Sequence, residues 1–425
     1  VGFHRRIAFA ATGGVFSDGY GLGILGLALA GATSPLGLDP AWLGAIAGAA
    51  LLGLFVGALL TGPLADARGR KTIFTVNMLV LLVLSVAQGW VHTASQLVAV
   101  RFLIGVVLGS DYVVSKTLVA EFMPAAQRGR ALSGLAIAWA GGYTSAYLVG
   151  YLLLASGPDA WRWMLLTSAI PCILVLPYRV MTPESPVWLV AKGNAGAARM
   201  IIERHLGVGV ALPEERRHAV LPPRRFRELG SRAFRHRTLA ACTLFTAQVI
   251  PYFALGTFVA RVLEALKIEG HYTAGLVYNG ALLIGAIIGV LIVDRLSRRA
   301  FIIGSFAITG LALTPIALST TLPTSVMVLL FAVFAGVLSA ATSLVYVYLP
   351  ELFPPTLRAS GIGTAVASSR IGSMISTFAL PLVVANLGVH VALGLCAAVL
   401  LLGAAICYRY APETHPSLVG ATSTH

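Results

Sequence analysis

Charge is scarce in this 425-residue chain: 11% of the side chains are Asp, Glu, Lys or Arg, against roughly 25% in soluble domains. Only 16 of them are acidic. Cysteine is nearly absent too. Cys172, Cys242, Cys396 and Cys407 all fall inside apolar runs and none has metal-ligand spacing, so a disulfide framework or a metal site is not expected. No Walker loop and no nucleophile–base pair occurs in the polar stretches, which argues against an enzyme, an ATP-driven machine or a resident cofactor. A cleavable signal peptide is not expected either, because the first apolar stretch is too long for a signal core and carries Asp18.

What the chain has instead is apolar length. Hydrophobic residues make up 57% of it, and a membrane-spanning helix needs about 20 of them in succession. Twelve such stretches can be drawn, at 7–31, 42–63, 72–91, 95–119, 132–155, 162–180, 239–260, 272–293, 300–318, 324–348, 360–385 and 389–410. They are long and continuous, without the short alternation of barrel strands, so the fold class is an all-α membrane protein. Lys and Arg concentrate in cytoplasmic loops. With both termini cytoplasmic, 24 of the 30 basic residues fall on that side, twelve of them between Arg179 and Arg237, and only Arg162, Arg261 and Lys267 fall outside. The net charge of +14 is then a topology signal and an attraction to anionic lipid heads rather than a mark of nucleic-acid binding.

Three signatures occur twice at nearly one spacing. Asp66-Ala-Arg68-Gly-Arg70-Lys71 returns as Asp294-Arg-Leu-Ser-Arg298-Arg299, Glu121, Pro124 and Arg128 return as Glu351, Pro354 and Arg358, and Pro183-Glu184-Ser185 returns as Pro412-Glu413-Thr414. The offsets, 228, 230 and 229, agree within two residues. Such duplication points to two six-helix bundles related by a parallel repeat, with solute bound between them. The expected organisation is a first bundle at 1–180, a cytoplasmic linker with short helices at 181–238, a second bundle at 239–410 and a cytoplasmic tail at 411–425.

These same residues carry a family resemblance. Gly62-Pro-Leu-Ala-Asp66-Ala-Arg68-Gly-Arg70-Lys71 resembles the loop 2–3 signature of the major facilitator superfamily, and Arg101-x3-Gly105-x3-Gly109 resembles its fourth-helix motif. Glu121-x2-Pro124-x3-Arg128, Pro183-Glu-Ser-Pro186-x-Trp188 and Pro350-Glu351-Leu-Phe-Pro354-x3-Arg358 resemble the branch that holds sugar porters and metabolite:proton symporters. The resemblance implies a monomeric, multi-pass inner-membrane carrier working by alternating access on a small solute and protons. It also implies gating contacts that latch the halves, at Asp66, Arg68, Glu121 and Arg128 and, in the second copy, at Asp294, Arg298, Glu351 and Arg358. A plain positive-inside anchor accounts equally well for Arg70 and Lys71.

Ionisable groups at membrane depth are costly and are functional candidates by default. Asp18, Arg101, Asp111 and Arg370 fall there. A carboxylate in a low-dielectric cavity has its charged form disfavoured, so it can load and release protons as the cavity changes sides. The segments Phe16-Ser-Asp18-Gly-Tyr20 and Gly109-Ser-Asp111-Tyr112 resemble those of phosphate and metabolite:proton symporters, although Gly21 stands where a second acid would be. Asp18, Asp111 and Arg101 are therefore proton-coupling candidates, with structural pairing to an arginine as the alternative. Arg370 lies about eleven residues into helix 11, and its planar cation suits a carboxylate or phosphate. Tyr143 and Tyr147, which share a face with Trp139 at four-residue spacing, join Gln248, Tyr252, Asn279 and Tyr346 as further substrate-binding candidates. Aromatic rings with few amides fit a small organic anion better than a sugar. A sugar, phosphate or organic-cation carrier, a drug exporter, and a non-transporting membrane sensor are the competing readings. Lys116 either snorkels out or faces the cavity, and Pro251 and Pro315 are expected to break their helices.

Overall fold

The computed structural model describes residues 2–123, 125–205, 228–293, 295–354 and 357–414, without side chains at 125–131, 346, 358 and 359. Asp294 therefore lies outside the described residues, and the side chains of Arg128, Tyr346 and Arg358 lie outside the description. Everything described is helix, turn or coil. Twelve helices fill the predicted spans: α1 Gly2–Ala32, α2 Pro40–Arg68, α3 Arg70–Trp90, α4 Ala94–Phe122, α5 Ala125–Leu153, α6 Ala160–Val180, α7 Arg235–Thr257, α8 His271–Ile292, α9 Arg298–Leu318, α10 Thr324–Glu351, α11 Arg358–Leu387 and α12 Val389–Tyr410. Among the described residues eleven of these are long and apolar enough to cross a membrane, and α5 is the twelfth by position.

Local chemistry sets the helix ends. Asp39 caps α2 by accepting from the Trp42 amide, with Pro40 pre-set at the first helical position. Thr93 and Gln96 form a reciprocal capping box at the start of α4. Pro251 and Pro315 do not break their helices as expected; both lie inside α7 and α9. The interruption of α7 comes at Phe258, before a short continuation Val259–Ala265, and α1 is interrupted in the same way at Ile24. Helices in lipid tolerate proline because neighbouring helices re-satisfy the freed carbonyls.

The repeat is visible in the packing. Within the first bundle α1 packs on α5, α2 on α4 and α3 on α6; in the second, α7 packs on α11, α8 on α10 and α9 on α12. Gly105 and Gly109 of the fourth-helix motif let α4 come so close to α2 that a Cβ at either would overlap the carbonyl oxygens of Ala50 and Leu54. The two bundles meet through α2 against α11 and α5 against α8. We call the side carrying the 181–238 segment the linker face, and the opposite side the far face.

Candidate functional site

Between the bundles lies a cavity with about 900 Å³ of atom-free space, counting the part continuous with solvent. Its wall is mostly aromatic and aliphatic, with Tyr112 and Trp139 from the first bundle and Phe245, Tyr252 and Phe253 from the second. Three polar side chains in this wall each carry one buried atom with no hydrogen-bond partner among the described residues. Asp18 of α1 is buried and its Oδ1 receives no hydrogen bond. Gln248 of α7 donates from Nε2 to Thr342 Oγ1 at 2.8 Å and to the Leu338 carbonyl at 3.3 Å, which leaves its Oε1 unpartnered. Arg370 of α11 is 6% exposed, has an unpartnered Nε and forms no ion pair among the described residues. Its guanidinium lies 5.6 Å from the Tyr112 ring centre and 6.0 Å from that of Phe245. An unpaired buried polar atom costs about 1–3 kcal/mol; three residues carrying one in the wall of a single void make a candidate site for a polar ligand.

Several predicted site residues stand elsewhere. Asp111 does not line the cavity: both its oxygens are bound by Arg179 of α6, Oδ2 at 2.8 Å from Nη2, and the Ser115 hydroxyl donates to Oδ2 at 3.0 Å. Arg179 had been counted among the cytoplasmic basic residues, yet it is fully buried. Helical side chains lean toward the N-terminus, so an arginine in the last turn of α6 reaches back into the bundle instead of out to water. Arg101 is also fully buried, donating to Gln88 Oε1 at 3.2 Å and to the Gly21 carbonyl at 2.9 Å, so it braces α1 against the end of α3. Lys116 sits over the Tyr112 ring, 3.4 Å from its centre, beside the cavity wall.

Tyr143, Tyr147 and Asn279 belong to the closure beyond the cavity. Tyr143 stacks on Trp139 with ring centres 5.2 Å apart. The Tyr147 hydroxyl donates to the Tyr272 carbonyl at 3.3 Å, Thr144 Oγ1 donates to the Asn279 carbonyl at 2.9 Å, and the Asn279 side chain turns back on Gly275. Arg261, from the α7 continuation, donates across the halves to Thr33 Oγ1 and the Leu29 carbonyl at the end of α1. These bonds hold the bundles together on the far face.

On the linker face two equivalent clusters repeat residue for residue. Arg70 pairs with Glu121, the Ser185 hydroxyl donates to Glu121, and Glu184 Oε1 accepts from the amides of Arg70 and Lys71 at 2.9 and 3.0 Å. Arg298 pairs with Glu351 at 3.6 Å, the Thr414 hydroxyl donates to Glu351, and Glu413 accepts from the amides of Arg298 and Arg299 at 3.1 and 3.3 Å. Glu184 and Glu413 thus neutralise the helix starts of α3 and α9. Asp66 is exposed and only 3.9 Å from Arg70, and Arg68 is exposed without a described partner. Each of these contacts lies within one bundle, so in this conformation none of them latches the halves together.

Two six-helix repeats around a central cavity, in a chain that matches a transporter family over nearly its whole length, define a secondary transporter of the major facilitator type, not an enzyme. Residues 9–418 match the family described as "Sugar (and other) transporter", and the chain belongs to it. It is 38% identical to the "Inner membrane metabolite transport protein YgcS" of Escherichia coli (strain K12), over 97% of this chain and 92% of that one. It is 28% identical to the "Niacin transporter NiaP" of Acinetobacter baylyi, over 97% and 94%. Its fold resembles the partially occluded inward open conformation of the xylose transporter XylE from E. coli, with a TM-score of 0.82 at 20% identity, covering 97% of this chain and 99% of the other.

Proposed function

We propose that this transporter is a proton-coupled symporter for a small organic anion of the aromatic carboxylate type, resident in a cytoplasmic membrane with both termini inside. The observation that carries the reading is the set of residues with unpartnered polar atoms that line one cavity: Asp18 from the first bundle, and Arg370 and Gln248 from the second. A solute carboxylate supplies the acceptor that Arg370 lacks, as a charge-assisted bond in a low-dielectric site. An aromatic body fills the space between Trp139, Tyr252 and Phe253. Asp18 exchanges a proton with whichever side the cavity faces, and rocking of the bundles moves that side. Niacin, an aromatic carboxylate, in the name of one relative supports this solute class. A sugar is less well served, since Gln248 is the one amide side chain among the described lining residues.

The test is uptake into proteoliposomes of labelled nicotinate, benzoate, xylose and phosphate with an imposed pH gradient. The expected result is accumulation of the aromatic carboxylates, with Arg370→Lys weakening them more than any neutral solute. Accumulation of xylose alone, or equal effects of Arg370→Lys on charged and neutral solutes, would overturn the anion assignment.

A further inference from the structure

Arg179 has no place in the scheme above, yet it is built into the region next to Asp18. Its Nη1 donates to the Phe74 carbonyl at 2.8 Å and to Asp111 Oδ1, its Nη2 donates to Asp111 Oδ2, and its Nε has no acceptor. The guanidinium plane rests on the Phe74 ring, 3.9 Å from its centre. Nη2 is the arm that touches α1: a Cβ at Gly14 would overlap it, and Asp111 Oδ2 lies 3.0 Å from the same point. Asp18 is one helical turn from Gly14 on the same face of α1, within electrostatic reach of both Asp111 and Arg179.

We propose that Arg179 is a positioning residue, a counter-ion shared by Asp111 and Asp18. While Asp18 carries its proton, both arms stay on Asp111. When Asp18 releases that proton into the cavity, Nη1 keeps its hold on Phe74 and Asp111 while Nη2 turns to the new carboxylate. Asp111 Oδ2 is not stranded by the exchange, because the Ser115 hydroxyl still donates to it. Gly14 supplies the gap through which the arm passes.

The other groups around Asp18 do not duplicate this part. Tyr112 of α4 and Tyr252 of α7, which line the cavity with Asp18, and Cys172 of α6 carry no cationic group, and the Lys116 ammonium is held over the Tyr112 ring. Arg101 is committed to the Gly21 carbonyl, further along α1, and to Gln88 at the end of α3, and Arg370 stands in the second bundle's part of the cavity wall. The inference rests on the reading of Asp18 as the proton-exchanging group.

The pH profile of solute uptake tests it in two variants. Asp111→Asn/Arg179→Gln removes a pair that is neutral as a whole. A static pair predicts an unchanged pH of half-maximal uptake, whereas loss of a shared counter-ion raises it by about one unit or more. Ser115→Ala removes no charge but makes Asp111 Oδ2 depend on Nη2, and is expected to move the midpoint the same way by a smaller amount. An unchanged midpoint in the double variant overturns the proposal; if that protein does not fold, an unchanged midpoint in Ser115→Ala overturns it instead. Failure of the underlying reading looks different: pH-driven uptake would be absent from the unaltered protein, or would survive in Asp18→Asn.

Discussion

The far-face closure gives the most quantitative prediction. Gly26 of α1 faces the Thr257 backbone, and Gly44 of α2 faces the Phe378 backbone, each across the boundary between bundles. A Cβ at either position would overlap the opposing carbonyl oxygen and would stand only 3.2 Å from the Thr257 carbonyl carbon or the Phe378 Cα. Backbone cannot rotate away as a side chain can, so the bundles must separate locally. Overpacking of this kind costs about 1–3 kcal/mol per site. The two sites lie on different helix pairs, so their costs add. A combined shift of about 2 kcal/mol or more changes the ratio of far-face-closed to far-face-open molecules by roughly 30-fold or more. The same substitutions leave a far-face-open conformation unpenalised. The assay is labelling by a membrane-impermeant maleimide of a single cysteine at Leu22, which lines the cavity, in a background without the four native cysteines. Gly26→Ala/Gly44→Ala is expected to speed labelling from the far face by at least tenfold and to slow uptake. Unchanged labelling and unchanged uptake in the folded double variant would refute the claim that these contacts hold the far face shut.

Other outcomes follow from the linker face. Glu121→Gln removes the charge opposite Arg70 in a pair whose side chains are 11% and 13% exposed, and is expected to cost about 1.5–3 kcal/mol in thermal unfolding of the detergent-solubilised protein. Glu351→Gln should cost less, because the Glu351 side chain is 29% exposed and its pairing with Arg298 is more screened by solvent. His205, at the end of the short helix Ala195–His205, stacks on Phe3 with ring centres 4.4 Å apart. Partial burial first, then Arg204 and Arg6, hold its imidazole below the usual range. The unfolded segment therefore binds the proton more readily, so this contact is complete above the ordinary histidine value of about 6.5 and is lost as pH falls from there through the lower folded value. Hydrogen exchange across 195–205, corrected for its intrinsic pH dependence, should accelerate in that window; no change, or acceleration on the alkaline side, would contradict the sign.

Much of the architecture could be read before any coordinates. Spans follow from apolar length, and the duplicated Arg70, Glu121 and Glu184 and Arg298, Glu351 and Glu413 fold into matching clusters because equivalent loops connect equivalent helices. Asp18 and Arg370 could be picked out because a charge in mid-span has few structural excuses. Arg179 could not be: at a helix end, one basic residue that snorkels outward and another that reaches inward have the same sequence pattern, and only the backward tilt of the side chain separates them. The pairing of Asp111 was hidden with it. Tyr143 and Tyr147 share a face with Trp139, as their spacing required, but periodicity carries no depth, and that face leaves the cavity before it reaches Tyr147. Within the loop signature, Arg68 and Arg70 differ by two positions and so point to different sides of the helix junction, a distinction composition does not encode.

The central claim is that Asp18 carries the proton that drives the solute. Asp18→Asn keeps the shape of the side chain and removes its ionisation, so the direct measurement is nicotinate uptake into proteoliposomes, with and without a pH gradient, beside gradient-free counterflow. Retained counterflow with gradient-driven accumulation abolished is the predicted result; accumulation at the unaltered protein's level would contradict the account.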